Sequence, residues 1–241
     1  MSGKSILVPA LAGTLILAGC NGRATVNESE PEPGVLTVEA DISASTPFMV
    51  SEPYANAAIK RVGDAVLKHR LGDRFRIVPI GSRTAQNSIG TFSIASGQKL
   101  HLRTVKKRLE GALAGLFAQS RRNGGDGNTN IVYTLENSQP VCNPDSDVII
   151  LSDGIESNEQ TDAGRDLAAG RPVTLPQPSQ RFLKGGCSIW MIGIGVSSPT
   201  GGGADVQTLP PDQLGKLKDA WRAWFIAAGA DPDKVHFETI L

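Results

Sequence analysis

The stretch Asp147–Gly154, DVIILSDG, sets four large aliphatic residues between an aspartate and a Ser-Asp-Gly turn. A run this short and this apolar, with no polar alternation, suits a strand buried on both faces, and such strands belong to parallel sheets covered by helices. The stretch Cys187–Gly195, CSIWMIGIG, has the same character. Working outward, further strands are expected at Val35–Ala40, Phe75–Ile80, Thr91–Ala95 and Val235–Ile240, beside those at Asp147–Leu151 and Ser188–Ile194. Amphipathic helices are expected at Glu52–His69, Leu100–Ser120 and Pro211–Ala228, with a short one at Ile131–Asn137. Strands that alternate with helices predict an α/β fold: a Rossmann-like, doubly wound, mostly parallel six-stranded sheet with helices on both faces. No internal repeat is visible.

In such a sheet the loops beyond the carboxyl ends of the strands line the ligand crevice. Three segments are expected to meet there: DISAS (Asp41–Ser45) after the first strand, GDGNTN (Gly125–Asn130) before the short helix, and LSDG (Leu151–Gly154) after the fourth strand. Residues i and i+2 of an extended segment point the same way, so Ser43 and Ser45 aim two hydroxyls at one point with Asp41 beneath them. The donors are all oxygens, with no cysteine or histidine close by in sequence, which favours a hard cation. Capping offers a second reading, because Asp and Ser also favour helix starts and turns. It accounts for DISAS but not for Thr129 and Asp153.

Asp-x-Ser-x-Ser, then an isolated Thr in a Gly/Asn-rich loop, then Ser-Asp-Gly after an apolar strand, resembles a von Willebrand factor type A domain with a complete metal-ion-dependent adhesion site. The resemblance extends from Val35 to Leu241. It implies a metal site of Asp41, Ser43, Ser45, Thr129 and Asp153. Ser43 and Ser45 would then coordinate directly, Thr129 directly or through water, and the two aspartates largely through bound waters. Mg²⁺ is the expected ion, with Mn²⁺ and Ca²⁺ as alternatives. Neutral hydroxyls leave the cation under-neutralised, so it seeks an anion, and a partner protein's Asp or Glu is expected to complete the shell. The segment Gly154–Gly186 departs from the family's pattern, with at best a weak helix before its prolines. Its early part, with Glu156 and Asn158, is expected to shape the rim.

Composition fits a binding module of ordinary balance: 241 residues, 40% apolar, with 24 Lys and Arg against 24 Asp and Glu. Nothing in it pulls toward nucleic acid. The N-terminus carries Lys4, an apolar run from Ile6 to Gly19, then Cys20. That is the form of a secretory signal, and it falls short of the roughly 20 residues that span a bilayer. Leu17–Cys20 (LAGC) also resembles the lipobox of bacterial lipoproteins, which makes residues 1–19 a signal peptide, Cys20 the lipidated residue and 20–34 a polar, proline-bearing tether. Plain secretion with a free Cys20 is the alternative. By resemblance to Gram-negative lipoproteins, in which an aspartate at this place implies inner-membrane retention, Asn21 implies the outer membrane, facing the periplasm. In that oxidising compartment Cys142 and Cys187, which precede neighbouring strands, are able to form a disulfide; two separate thiols are the alternative.

Other chemistries find less support. No serine lies in a G-x-S-x-G elbow, and His69, His101 and His236 are dispersed. A dinucleotide fold places its glycines after the first strand. Here that turn holds Asp41, and the glycines around GIGVSSPTGGGAD read as a flexible rim loop. A haloacid-dehalogenase-like phosphatase resembles this chain in the aspartate after strand one but requires a second acid where Ser43 stands. The expectation is therefore a lipid-anchored, non-enzymatic binding module for an acidic group on a protein. A metal-dependent phosphoester hydrolase and a structural envelope lipoprotein with a vestigial site are the alternatives.

Overall fold

A computed structural model describes residues 32–198 and 206–239. Cys20, the lipobox and most of the tether lie outside the described residues, as does the PTGGGAD stretch. Six strands form the main sheet: β1 (Val35–Asp41), β2 (Arg74–Ile80), β3 (Phe92–Ala95), β4 (Asp147–Leu151), β5 (Ser188–Ile192) and β8 (Val235–Glu238). Their order is β3-β2-β1-β4-β5-β8, and every neighbouring pair is parallel except β2 with β3 at one edge. A small antiparallel pair, β6 (Val196–Ser197) with β7 (Gln207–Thr208), stands apart.

Two apolar layers lie on opposite faces of the sheet. On one, Leu36, Val38, Ala40, Ile149 and Leu151 pack beneath α1 (Pro47–Val50), α2 (Glu52–Val66) and α4 (Leu102–Arg122). On the other, Val148, Ile150, Ile189 and Met191 pack beneath α5 (Ile131–Ser138), α6 (Ala163–Ala168) and α7 (Pro211–Ala227). The alternation follows from the pleat, which sends successive β4 side chains to opposite faces. The helices answer with their own period: α4 buries Val105, Leu109, Leu113, Leu116 and Phe117, three or four residues apart along one stripe. One further helix, α3 (Arg83–Ile89), follows β2.

The strands and helices lie close to where the sequence puts them, with shifted ends. β5 stops at Ile192: the Gly193 amide makes the last ladder bond, to the Glu238 carbonyl of β8, and Gly193 itself takes φ +92°, which turns the chain out of the sheet. A side chain at Gly193 would meet the Phe48 ring at 2.6 Å, and one at Gly195 would meet Leu214 at 2.5 Å. These two glycines are packed turn residues, which corrects the expectation of a flexible rim for this part of the loop. The segment after β4 does contain a short helix, α6, whose start is capped by Asp162 accepting from the Arg165 amide. Beyond it the chain runs irregularly through Pro172, Pro176 and Pro178 to β5.

Cys142 and Cys187 are joined by a disulfide that ties the incoming ends of β4 and β5 across 45 residues. Because the parallel strands run one way, the molecule has a carboxyl edge, where β1 and β4 end at Asp41 and Leu151, and an amino edge, where they begin.

Candidate functional site

DISAS, the Gly/Asn-rich loop and LSDG converge at the carboxyl edge. Asp41 is the last residue of β1, fully buried, with both oxygens engaged. One accepts from the Ser43 amide at 2.8 Å and the other from the Ser152 hydroxyl at 2.6 Å. The Ser43 and Ser45 hydroxyls lie 3.4 Å apart, and Ser45 in turn donates to the Asp153 carboxylate at 3.1 Å. The other Asp153 oxygen accepts from the Ile155 amide at 2.9 Å. Two buried carboxylates, from segments 108 or more residues apart in sequence, are thus linked through the Ser43 amide and the Ser43 and Ser45 hydroxyls.

Burial drives both acids well above the usual carboxylate range. At Asp153 the nearby Asp41 charge adds to it, and at Asp41 the Ser152 and Ser43 hydrogen bonds oppose it. No Lys, Arg or His side chain is among their hydrogen-bonding partners. Two acids so placed need protons or an external cation to offset their charge. The donor set, hydroxyl and carboxylate oxygens only, suits a hard divalent ion such as Mg²⁺. Among the described residues no group of three or more His, Cys, Asp or Glu side chains is placed to hold a metal ion.

Thr129, 2% exposed, is held by a two-way backbone pairing with Ser157 just beyond LSDG. That pairing locks the loop before α5 to the loop after β4. The same lock contains Glu156. Expected at the rim, Glu156 is instead buried, and its carboxylate accepts from the Ile131 and Val132 amides at the start of α5. Burial raises its pKa to about 8 against those bonds. The reason is local: the first helical amides have no intrahelical partner, and Glu156 is the buried acceptor within reach. Asn158 is half-buried and donates to Glu156 at 2.8 Å.

Three participants were not singled out from sequence. Ser152 holds Asp41 from the neighbouring strand; its only sequence signal is its place beside Asp153 in LSDG. Asp126 braces the DISAS loop through backbone bonds, its amide to the Ile42 carbonyl and its carbonyl to the Ala44 amide. Its carboxylate also accepts from the Ser82 amide and hydroxyl. Gly154, at φ +75°, passes under Trp221, whose indole donates to the Gly154 carbonyl at 2.8 Å. A cavity of about 460 Å³ opens beside this cluster, lined in part by Asn128, Asn130, Glu136, Glu156 and Glu159.

Compared with protein-family models and with curated proteins, the chain matches none.

Proposed function

We propose that this chain is a lipid-anchored binding module of the von Willebrand factor type A kind. In this reading it holds a Mg²⁺ ion at Asp41, Ser43, Ser45, Thr129 and Asp153 and uses it to bind an acidic group on a protein partner at the periplasmic side of the outer membrane. The observation that carries the reading is the Ser152–Asp41–Ser43–Ser45–Asp153 chain of hydrogen bonds. It gathers two buried acids and two hydroxyls at one strand edge, with no Lys, Arg or His among the acids' hydrogen-bond partners in the described residues. A bound divalent ion supplies that balance and keeps a coordination position for an incoming carboxylate. Ser43 and Ser45 present neutral oxygens to the ion, while Asp41 is oriented from behind by Ser152.

A hydrolase would need a second acid or base poised on substrate. The second acid of the cluster, Asp153, is fully buried, and its two oxygens accept from the Ser45 hydroxyl and the Ile155 amide. Isothermal titration of Mg²⁺ into the metal-free protein tests the reading. Saturable binding that disappears in Asp41→Ala supports it, and equal heats in both proteins reduce DISAS to a capping turn.

A further inference from the structure

The end of the molecule opposite the site has a character of its own. Among the described residues four large apolar side chains stand exposed: Leu67 at 46%, Leu71 at 53%, Val141 at 45% and Ile226 at 39%. All four belong to the amino edge. Leu67 and Leu71 follow the C-terminus of α2, Val141 lies between α5 and β4, and Ile226 is in the last turn of α7. Single exposed apolar residues are ordinary on a protein surface, but their confinement to one end is not.

Charge divides the same way. The amino-edge segments 67–74, 95–103, 138–147, 181–188 and 228–235 hold eight Lys and Arg against five Asp and no Glu. Two of those aspartates, Asp73 and Asp147, are turned onto His69. Lys68, Arg74, Lys99, Arg103, Arg181 and Lys184 are exposed. The carboxyl-edge segments 41–45, 81–83, 120–130 and 151–162 hold Asp41, Asp126, Asp153, Glu156, Glu159 and Asp162 against Arg83, Arg121 and Arg122. A chain of zero formal charge is therefore polarised along the strand direction.

The polypeptide enters the domain at the basic end. The Pro33 carbonyl accepts from the Asn143 amide group, and the Gly34 amide donates to Asp73. Pro33 lies only 13 positions after Cys20. We infer that the amino edge rests on an anionic lipid surface, with Leu67 and Leu71 at the headgroup level and Lys68, Arg74, Lys99 and Arg103 against lipid phosphates. This rests on the reading of Cys20 as the lipid-bearing residue. The acyl chains hold the protein at the membrane, and the basic, leucine-tipped end sets its orientation. The carboxyl edge, at the other end of the strands, then presents the metal site outward to a partner.

Amide hydrogen exchange on the full lipidated protein decides, comparing vesicles of phosphatidylcholine alone with vesicles that also contain phosphatidylglycerol. On the anionic vesicles, slowed exchange is expected at 67–71 and 99–103 and none at 41–45. The double variant Lys99→Glu/Arg103→Glu should weaken that protection roughly tenfold while remaining vesicle-bound. Equal exchange on the two vesicles overturns the inference, as does protection at 41–45 instead. Protection that appears without vesicles and grows with protein concentration also overturns it, in favour of a second copy at this surface. If the protein does not float with phosphatidylcholine vesicles, the anchor reading alone fails, and addition of the anionic vesicles still decides the surface.

Discussion

At the residue scale the two aspartates dominate, because each is placed where a lone carboxylate is costly. Asp41 and Asp153 are both fully buried. A residue just past a strand end is expected to meet solvent; here the loops around it close over it. Asp41→Asn keeps the shape and removes one charge, so the metal-free variant should be more stable by about 1 kcal/mol, which raises Tm by roughly 2–4 °C. The same variant should lose the Mg²⁺-induced rise in Tm expected of the wild type. Thermal melts with and without Mg²⁺ read both effects, and an undiminished Mg²⁺ shift in the variant removes Asp41 from the site. A second buried group works on a different axis. His69 bonds to Asp73 at 3.1 Å and lies 3.3 Å from Asp147. Burial opposes its protonation, but the Asp147 and Asp73 carboxylates outweigh it and lift its pKa above the ordinary 6.5. The folded state therefore binds the proton more tightly than the unfolded one. The stabilisation is complete below about pH 6.5 and is lost as pH rises through the folded value. His69→Gln should flatten that decline in urea midpoints measured from pH 6 to 9, and an unchanged slope would assign it to other groups.

At the element scale the start of α5 couples the site to the scaffold. Its first amides are satisfied by Glu156 from the loop after β4, and the Thr129–Ser157 pairing lies directly alongside. Glu156→Ala leaves buried N–H groups without an acceptor and should cost about 2 kcal/mol. Glu156→Gln retains a carbonyl acceptor, and since burial keeps the acid largely neutral near pH 7, it should cost under about 1 kcal/mol. Denaturant titration of the two variants separates these outcomes; equal losses would show that charge, not the capping bond, matters. Gly154 makes a similar link. Its φ is +75°, and a Cβ added there would lie 3.1 Å from the Ile194 side chain, which leaves little room for any substitution. Gly154→Ala should therefore both destabilise the fold and weaken Mg²⁺ binding, because Asp153 precedes it in the turn.

At the scale of the whole molecule, the amino edge contributes stability through a covalent link. The disulfide joins β4 and β5 where they begin, far along the strands from the acid cluster. Closing a 45-residue loop lowers the entropy of the unfolded chain by an amount worth about 3–4 kcal/mol in the chain-entropy treatment. The Cys142→Ser/Cys187→Ser variant should lose about that much in denaturant unfolding while keeping its Mg²⁺ affinity. Loss of affinity along with stability would mean that the two edges are coupled through the strands.

The sequence alone determined the α/β class, the placement of the six main strands and the grouping of Asp41, Ser43, Ser45 and Asp153 at strand ends. These are legible because burial on two faces leaves unbroken apolar runs such as VIIL, and because residues at strand ends share an edge once the strands are parallel. Tertiary structure alone decided what each polar group does there. Ser152 reaches Asp41 only because β4 is the hydrogen-bonded neighbour of β1, and no short-range pattern encodes strand order. Glu156 turned inward because α5 presents unpaired amides beside it, a demand that its own neighbours in sequence do not show. The gathering of Leu67, Leu71, Val141 and Ile226 at one end is likewise invisible along the chain, since residues spread from 67 to 226 share an edge only through the common direction of the helices and strands that lead to it.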